Sequence, residues 1–542
     1  GTLRVGGYGG RSRQSFGAQG DAVNAAARLM GLAQRGEILT SGRLRGAGAS
    51  EFALQARAPI ALKGRAEPMP VFALLGPQRQ RAIRLHEPDF VLPMVGRDAA
   101  TALLEQALQR VAAGHGEVLA VVADAGMGKS RLLAEGVRLA LRRGFVGYGG
   151  ATAGDGVRLP YSPWQGVWTA LLALDTAQSP RLQARNVEAA VARLAPERAE
   201  AWPLLGPLLG LELADNNFTQ GLAPRDRKAL LEALLVEALI SAAEDAAQDA
   251  GPDGAGVLLV LEDLHAAEAL SLDLLAAVVR AIAAKPVLLL LSQRPPEGPH
   301  EPDIAQRLLA PPAVPGAEAV AQVQRIELAG LDAAQTEQLI RAKLAAQFPE
   351  RPGTVPAALI ERIVERAQGN PFCVEELLNH LHDRGLDPQR AETVQALDWP
   401  VSLRRLVLSR IDRLAPPQQL ALKVASVIGR QFALTELQAC HPAAAAGDEL
   451  RAHLQQLTRQ GLTAELMDEA EPAFVFNHRV TQEVAYDSIA HPSRLQLHER
   501  MAQHLEARLA AAPGRLAPPL AHHWARAERP DRAWPHLLRA AE

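Results

Sequence analysis

The chain has 542 residues, with 57 basic and 60 acidic side chains and a formal net charge of −3. It is therefore too long for one core, and roughly three to five domains are expected; the balanced charge does not resemble that of a basic nucleic-acid binder, which needs clustered positive charge to displace counterions. Hydrophobic residues make up 48% and aromatic residues only 4%, so alanine, leucine and valine must do most of the packing, a bias that favours helices.

In chain order, residues 1–75 read as a short α/β piece. Asp21 is placed to cap a helix running from Ala22 to Met30. Strand-like stretches follow at 37–40 and 70–75, and a polar, proline-punctuated linker is expected over 76–92. The chain opens on Gly1 without an initiator methionine and is expected to begin inside a domain. Over 93–322 strands and helices alternate, which predicts a mostly parallel sheet covered by helices. Val118–Val122, Val257–Leu261 and Val287–Leu291 are the candidate central strands. Their apolar runs are continuous, as for strands buried on both faces. A helical insertion carrying Trp164, Trp168 and Trp202 separates the first two, and 295–321 reads as a proline-rich surface loop. Residues 323–400 read as a helical lid. Residues 401–490 combine amphipathic helices with a strand at Ala473–Phe476, a winged-helix pattern, and 491–542 as the start of a helical-repeat array.

Between the first strand and the next helix stands Ala123-Asp124-Ala125-Gly126-Met127-Gly128-Lys129-Ser130. Strand, glycine loop and helix form the context of a phosphate-binding loop. Its backbone N–H groups and the helix N-terminus aim positive partial charge at phosphate oxygens. Lys129 is the expected contact to the β- and γ-phosphates of ATP, and the Ser130 hydroxyl the expected ligand of Mg²⁺. Ala123 occupies the position of the motif's first glycine. At the end of the second central strand, Glu262 and Asp263 are adjacent carboxylates. A phosphate-loop enzyme needs one acid there for the Mg²⁺ shell and another to polarise the attacking water; spacing alone does not say which does which.

These motifs, with Leu289-Leu-Leu-Ser-Gln-Arg294-Pro and Gln368-Gly-Asn-Pro371-Phe, resemble the STAND branch of AAA-type signalling ATPases over about residues 93–500. The resemblance implies an α/β phosphate-loop NTPase core and ADP-bound off and ATP-bound on states. It also implies that Arg294 senses phosphate and that Pro371 packs near adenine. Ala266 and Glu268 stand where that family carries tryptophan and aspartate. The string from Gly20 to Leu29, with Gly36–Ser41 and Leu62–Gly64, resembles the end of a class III nucleotide cyclase domain. There Asn24 and Arg28, four apart on one helix face, would orient the ribose and stabilise charge on the reacting phosphate. The metal-holding aspartates of that family belong to an upstream half not included here, and Gly17 fills its purine-selecting position. The chain as given is therefore not expected to make cyclic nucleotide. Together the two resemblances imply a cyclase–AAA ATPase–TPR signalling protein, N-terminally truncated. Such a protein would act on ATP and ADP, recruit protein partners through its helical repeats, and dimerise through a complete cyclase domain.

Weaker features read as structural. Cys373 and Cys440 fit neither a disulfide framework nor a zinc site. No run reaches the ~18 apolar residues of a membrane span, no signal peptide is visible, and a cytoplasmic setting with no membrane partner is expected. His522 and His523 are adjacent and read as ordinary surface residues, and His478 and Gln482 as packing or polar-network groups. Arg404, Arg405, Arg410 and Arg413 read as a solvated helix face, making the winged helix a relay with no nucleic-acid partner. Two other functions compete: a non-hydrolysing scaffold, motivated by Ala123, Ala266 and Glu268, and an ATPase-type transcription regulator.

Overall fold

The structure, a computed structural model, describes residues 4–10, 13–19, 21–33, 38–41, 52–60, 69–77, 92–152, 160–175, 178–250, 255–296, 303–309, 321–347, 355–386, 402–442, 447–466, 471–508 and 513–541. The chain forms two compact units, Gly1–Ala82 and Ile83–Glu542.

In the first unit, β1 (Arg4–Gly10) and β2 (Arg13–Gln19) pair antiparallel, Arg4 opposite Gln19. The helix Asp21–Leu32 follows. β3 (Ile38–Ser41), β4 (Phe52–Ile60) and β5 (Met69–Pro77) form an antiparallel sheet in the order β3-β5-β4. Leu29 of the helix is buried with Met69 and Val71 of β5. The hairpin and β4 were not foreseen: β1 carries four glycines, which blunt any strand signal. Residues 34–37 and 61–68, where part of the cyclase-like string falls, lie outside the described residues, as does the side chain of Asn24. Arg28 is exposed.

In the second unit, β6 (Glu117–Val122), β7 (Val146–Ala151), β8 (Val257–Glu262), β9 (Val287–Gln293) and β10 (Gln322–Glu327) form one parallel sheet, ordered β10-β6-β9-β8-β7. Alternate side chains of β6 enter opposite layers. Val118, Ala120 and Val122 join Trp164, Trp168, Leu234 and Leu275 on one face. Leu119 and Val121 join Leu104, Leu132 and Leu133 on the other. Burial on both faces is the reason the three central strands read as unbroken apolar runs. β7 was missed because its sequence, Val-Gly-Tyr-Gly-Gly-Ala, is glycine-rich. That smallness is structural: a Cβ at Gly150 would lie 2.0 Å from the Pro163 carbonyl oxygen. β10 is a polar edge strand, so the sheet runs past the expected boundary at 322.

The helices Ala333–Gln347, Ala357–Ala367 and Pro371–Asp383 share a separate core around Ile340, Ile363 and Leu378. Beyond them, the helices Leu403–Ile411, Pro416–Ile428, Leu434–Cys440 and Gly447–Arg459 surround a small antiparallel sheet. It is formed by β11 (Gln431–Ala433), β12 (Thr463–Leu466) and β13 (Ala473–Phe476) in the order β11-β13-β12. Phe432, Phe474 and Phe476 are its buried aromatic core. The helices Arg479–Asp487, His491–Arg508, Pro513–Arg526 and Pro530–Ala541 complete the unit.

Arg410 departs from the solvated face expected of it. Arg404, Arg405 and Arg413 are exposed, but Arg410 lies three and four positions after Val407 and Leu406 and shares their buried face. Its Nη1 reaches Glu376 Oε1 at 2.7 Å, its Nε reaches Asp383 Oδ2 at 2.8 Å, and its Nη2 donates to the Gln460 carbonyl at 2.8 Å.

Candidate functional site

β6 ends in the loop from Ala123 to Gly128, and the helix Lys129–Arg142 starts directly behind it. Gly126 and Gly128 take φ of 81° and 92°, a left-handed conformation that glycine adopts at little cost. The loop is latched from the start of the helix Pro371–Asp383. Asn370 Nδ2 donates to the Ala125 carbonyl at 3.0 Å, and the Phe372 N–H to the Gly126 carbonyl at 3.3 Å. A Cβ at Gly126 would come within 2.8 Å of Asn370 Oδ1. Asn370 also caps the helix Pro371–Asp383, accepting from the Cys373 N–H at 3.1 Å.

Lys129 is buried, and its Nζ donates to the carbonyls of Ala123 and Asp124 at 2.7 and 2.9 Å. Burial lowers its pKa to about 8, with repulsion from Arg294 and Arg479 adding to the effect against the pull of Asp263 and Asp124. Ser130 Oγ lies 3.4 Å from Glu262 Oε2, so the hydroxyl and the carboxylate stand side by side. Burial pushes the Glu262 carboxyl up, partly offset by Arg430.

Asp263 sits in left-handed backbone at φ 55°, a conformation costing a non-glycine residue about 1–3 kcal/mol. Ser292 Oγ accepts from its N–H at 3.1 Å, and its own carbonyl accepts from Thr152 Oγ1 at 2.8 Å. Those contacts swing its side chain away from Glu262's partner and onto Arg479 Nη1, 3.0 Å away. Burial alone would raise the Asp263 pKa, but Arg479, His265, Arg430 and Lys129 together hold it below the usual value. His265 is pushed down to about 4 by burial, and its Nδ1 is buried without a hydrogen-bond partner.

The loop, Asp263 and the start of the helix Pro371–Asp383 open on one cleft. Its walls include Ala125 to Ser130, Asp263, Arg294 and Pro371, so most of the expected site residues converge; Ala123 and Asp124 stand behind the loop as carbonyl acceptors for Lys129. Arg294 does not point at an open phosphate position but bonds Glu483 Oε1 at 3.1 Å.

The sequence reading missed the residues that arrive from the far side: Arg430, Asn477, His478 and Arg479 line the same cleft. The His478 ring packs on Phe372 with centroids 4.0 Å apart, and burial lowers its pKa to about 4. Arg430 Nε is buried without a hydrogen-bond partner. The one sequence signal was His478, read there as a packing or polar-network group. Glu268, by contrast, has a packing duty. It caps the helix Ala269–Ala281 through the Ser271 N–H and accepts from the Tyr161 N–H at 2.7 Å.

Residues 93–290 match the family described as an AAA ATPase domain, and this stretch contains the loop and both strand-end acids. An uncharacterized protein of Rhizobium meliloti (strain 1021) is 25% identical over 494 residues, which are 89% of this chain and 44% of that protein. The chain thus spans less than half the length of that relative. Among solved structures, the Signal Transduction ATPase with Numerous Domains protein with a tetratricopeptide repeat sensor from Pyrococcus horikoshii aligns with a TM-score of 0.40. It is 12% identical, over 84% of this chain and 59% of that one. The Aeropyrum pernix ORC1 protein in complex with DNA aligns with a TM-score of 0.31 at 13% identity, over 76% of this chain and 96% of that one.

Proposed function

We propose that the chain is an ATP-dependent switch of the STAND type, in which a winged-helix-like relay over 401–490 governs a phosphate-loop ATPase site. The observation that carries the proposal is that Arg479, from beyond the AAA-matching stretch, is bonded to the strand-end acid Asp263 inside the cleft that Lys129 lines. Lys129 exchanges its two carbonyl partners for phosphate oxygens when ATP enters. The Ser130 hydroxyl and Glu262 would hold the Mg²⁺ that accompanies ATP, and the ion would supply charge neutralisation at the phosphates. Asp263, once free of Arg479, is the group left to orient and polarise the attacking water. Arg294, released from Glu483, contacts the terminal phosphate, and Pro371 borders the adenine.

The finer assignments belong to the same proposal. Residues 491–542 begin a helical-repeat region that recruits protein partners, and the near-balanced charge favours such partners over nucleic acid. Residues 1–75 are the end of a class III cyclase domain, with Asn24 and Arg28 as its remnant, dimerising and forming cyclic nucleotide only in a longer protein; this rests on the sequence string. The decisive experiment compares nucleotide binding and ATP hydrolysis by wild type and Lys129→Ala. Loss of both is expected, and unchanged binding and turnover would sink the proposal.

A further inference from the structure

A second cluster of chemistry-bearing side chains lies away from the cleft, between the helices His491–Arg508 and Pro513–Arg526. His498 is contributed by the first, His522 and His523 by the second. The sequence placed His522 and His523 on the surface because neighbours on a helix point about 100° apart. The fold overrides this. His523 is buried at 4% exposure and His522 half-buried, and both rings reach His498, which is 2% exposed. His498 Nδ1 and His523 Nδ1 are 2.9 Å apart, and the ring centroids of His522 lie 5.9 and 5.2 Å from those of His498 and His523.

One ring nitrogen from each histidine lies within 4.8 Å of the other two. We propose that His498, His522 and His523 form a binding site for a divalent transition-metal ion, zinc above all, with a fourth position left for water. Three imidazoles and no carboxylate suit zinc, cobalt, nickel or copper and not magnesium or calcium, which demand oxygen ligands. Arg494, stacked on Tyr486 at 5.2 Å, and Arg526 near His522 add positive charge. A weakly held hard cation would not overcome that charge, whereas imidazole–metal bonds can.

The second layer of the site is already built. Tyr486 Oη lies 3.0 Å from His498 Nε2. With Nε2–H donating to that oxygen, the Nδ1 lone pair is turned toward His523, the outer-sphere arrangement that orients ligating histidines. A bound ion would pin the two helices together.

The test uses the whole chain without a polyhistidine tag, stripped by chelator and dialysed, then titrated with Zn²⁺ against a chromophoric chelator and with Co²⁺ by visible absorption. One ion per chain is expected, with the strong visible bands of a tetrahedral Co²⁺ site. His522→Ala and His498→Gln should each weaken Zn²⁺ by at least about tenfold, and Tyr486→Phe by roughly tenfold. Circular dichroism checks folding; if His498→Gln fails to fold, the half-exposed His522→Ala decides. Absence of stoichiometric uptake by wild type, or uptake unchanged in His522→Ala, would overturn the proposal and leave a hydrogen-bonded histidine trio without metal.

Discussion

Arg479 Nη1 lies 3.0 Å from Asp263 Oδ2 across 216 positions of the chain. The two side chains are 18% and 17% exposed, so the pair is largely shielded, and Arg479 is shared with Glu483 at 3.2 Å. Arg479→Ala breaks the link and leaves Asp263 with its remaining neighbours, Lys129, His265 and Arg430. A stability loss of about 1.5–3 kcal/mol is expected, the usual range for a hydrogen bond to a charged group, measured by urea denaturation. In the same variant basal ATP turnover should rise several-fold, because the acid is released. A fall in turnover would mean that Arg479 assists the reaction instead of restraining it.

Glu262 and Asp263 are separable by their partners. Glu262 stands beside the Ser130 hydroxyl, whereas Asp263 turns onto Arg479. Glu262→Gln should raise the Mg²⁺ concentration needed for half-maximal turnover. Asp263→Asn should leave that requirement unchanged and lower kcat by about 100-fold, the scale of lost general-base assistance. Steady-state kinetics across a Mg²⁺ titration reads both, and the reversed pattern would exchange the two roles.

Lys129 gives the site a pH dependence. Its pKa is lowered to about 8 in the fold from 10.5, burial being the main cause. Below about pH 8 the ammonium is present and meets phosphate. Above it the apo protein holds a neutral amine, and ATP affinity should fall about tenfold per pH unit, since each unit halts protonation by that factor. Stability of the nucleotide-free chain runs the other way. Between about pH 8 and 10.5 the unfolded chain holds the proton that the fold has released, so stability rises with pH across that window. Calorimetric ATP titrations at pH 7, 8 and 9 check the first part, and any residual binding by Lys129→Ala should be flat over the same range.

The sheet and the loop were legible because local pattern determines them. Val118–Val122, Val257–Leu261 and Val287–Leu291 are buried on both faces, and Gly126 to Ser130 follows a strand and opens a helix. β7 and β10 were not, because glycine-rich and polar edge sequences carry no apolar run. The far wall of the cleft was illegible for a different reason. Nothing local to Arg430 or Arg479 reports that the chain folds back over Glu262 and Asp263. The same holds for His522 and His523, whose convergence on His498 is set by how two helices pack. The hydrogen bond from Asn370 to the Ala125 carbonyl is an intermediate case: the Gly-Asn-Pro turn was visible, its grip on the phosphate loop was not.

Arg410 shows what that tertiary blindness costs in energy. Its side chain and that of Glu376 are 3% and 4% exposed. Glu376 Oε1 takes Arg410 and Asn379, while Glu376 Oε2 is buried without a partner. Arg410→Ala therefore strands a buried carboxylate, and a loss of about 3–5 kcal/mol is expected, as for one partner removed from a buried pair. Replacing both residues, as Arg410→Met with Glu376→Leu, should cost far less than Arg410→Ala alone, because the desolvation penalty then disappears with the charges. Urea titrations of the single and double variants measure the difference. A double variant as unstable as Arg410→Ala would show that the bonds from Arg410 to Asp383 and the Gln460 carbonyl hold the junction, and not the pairing with Glu376.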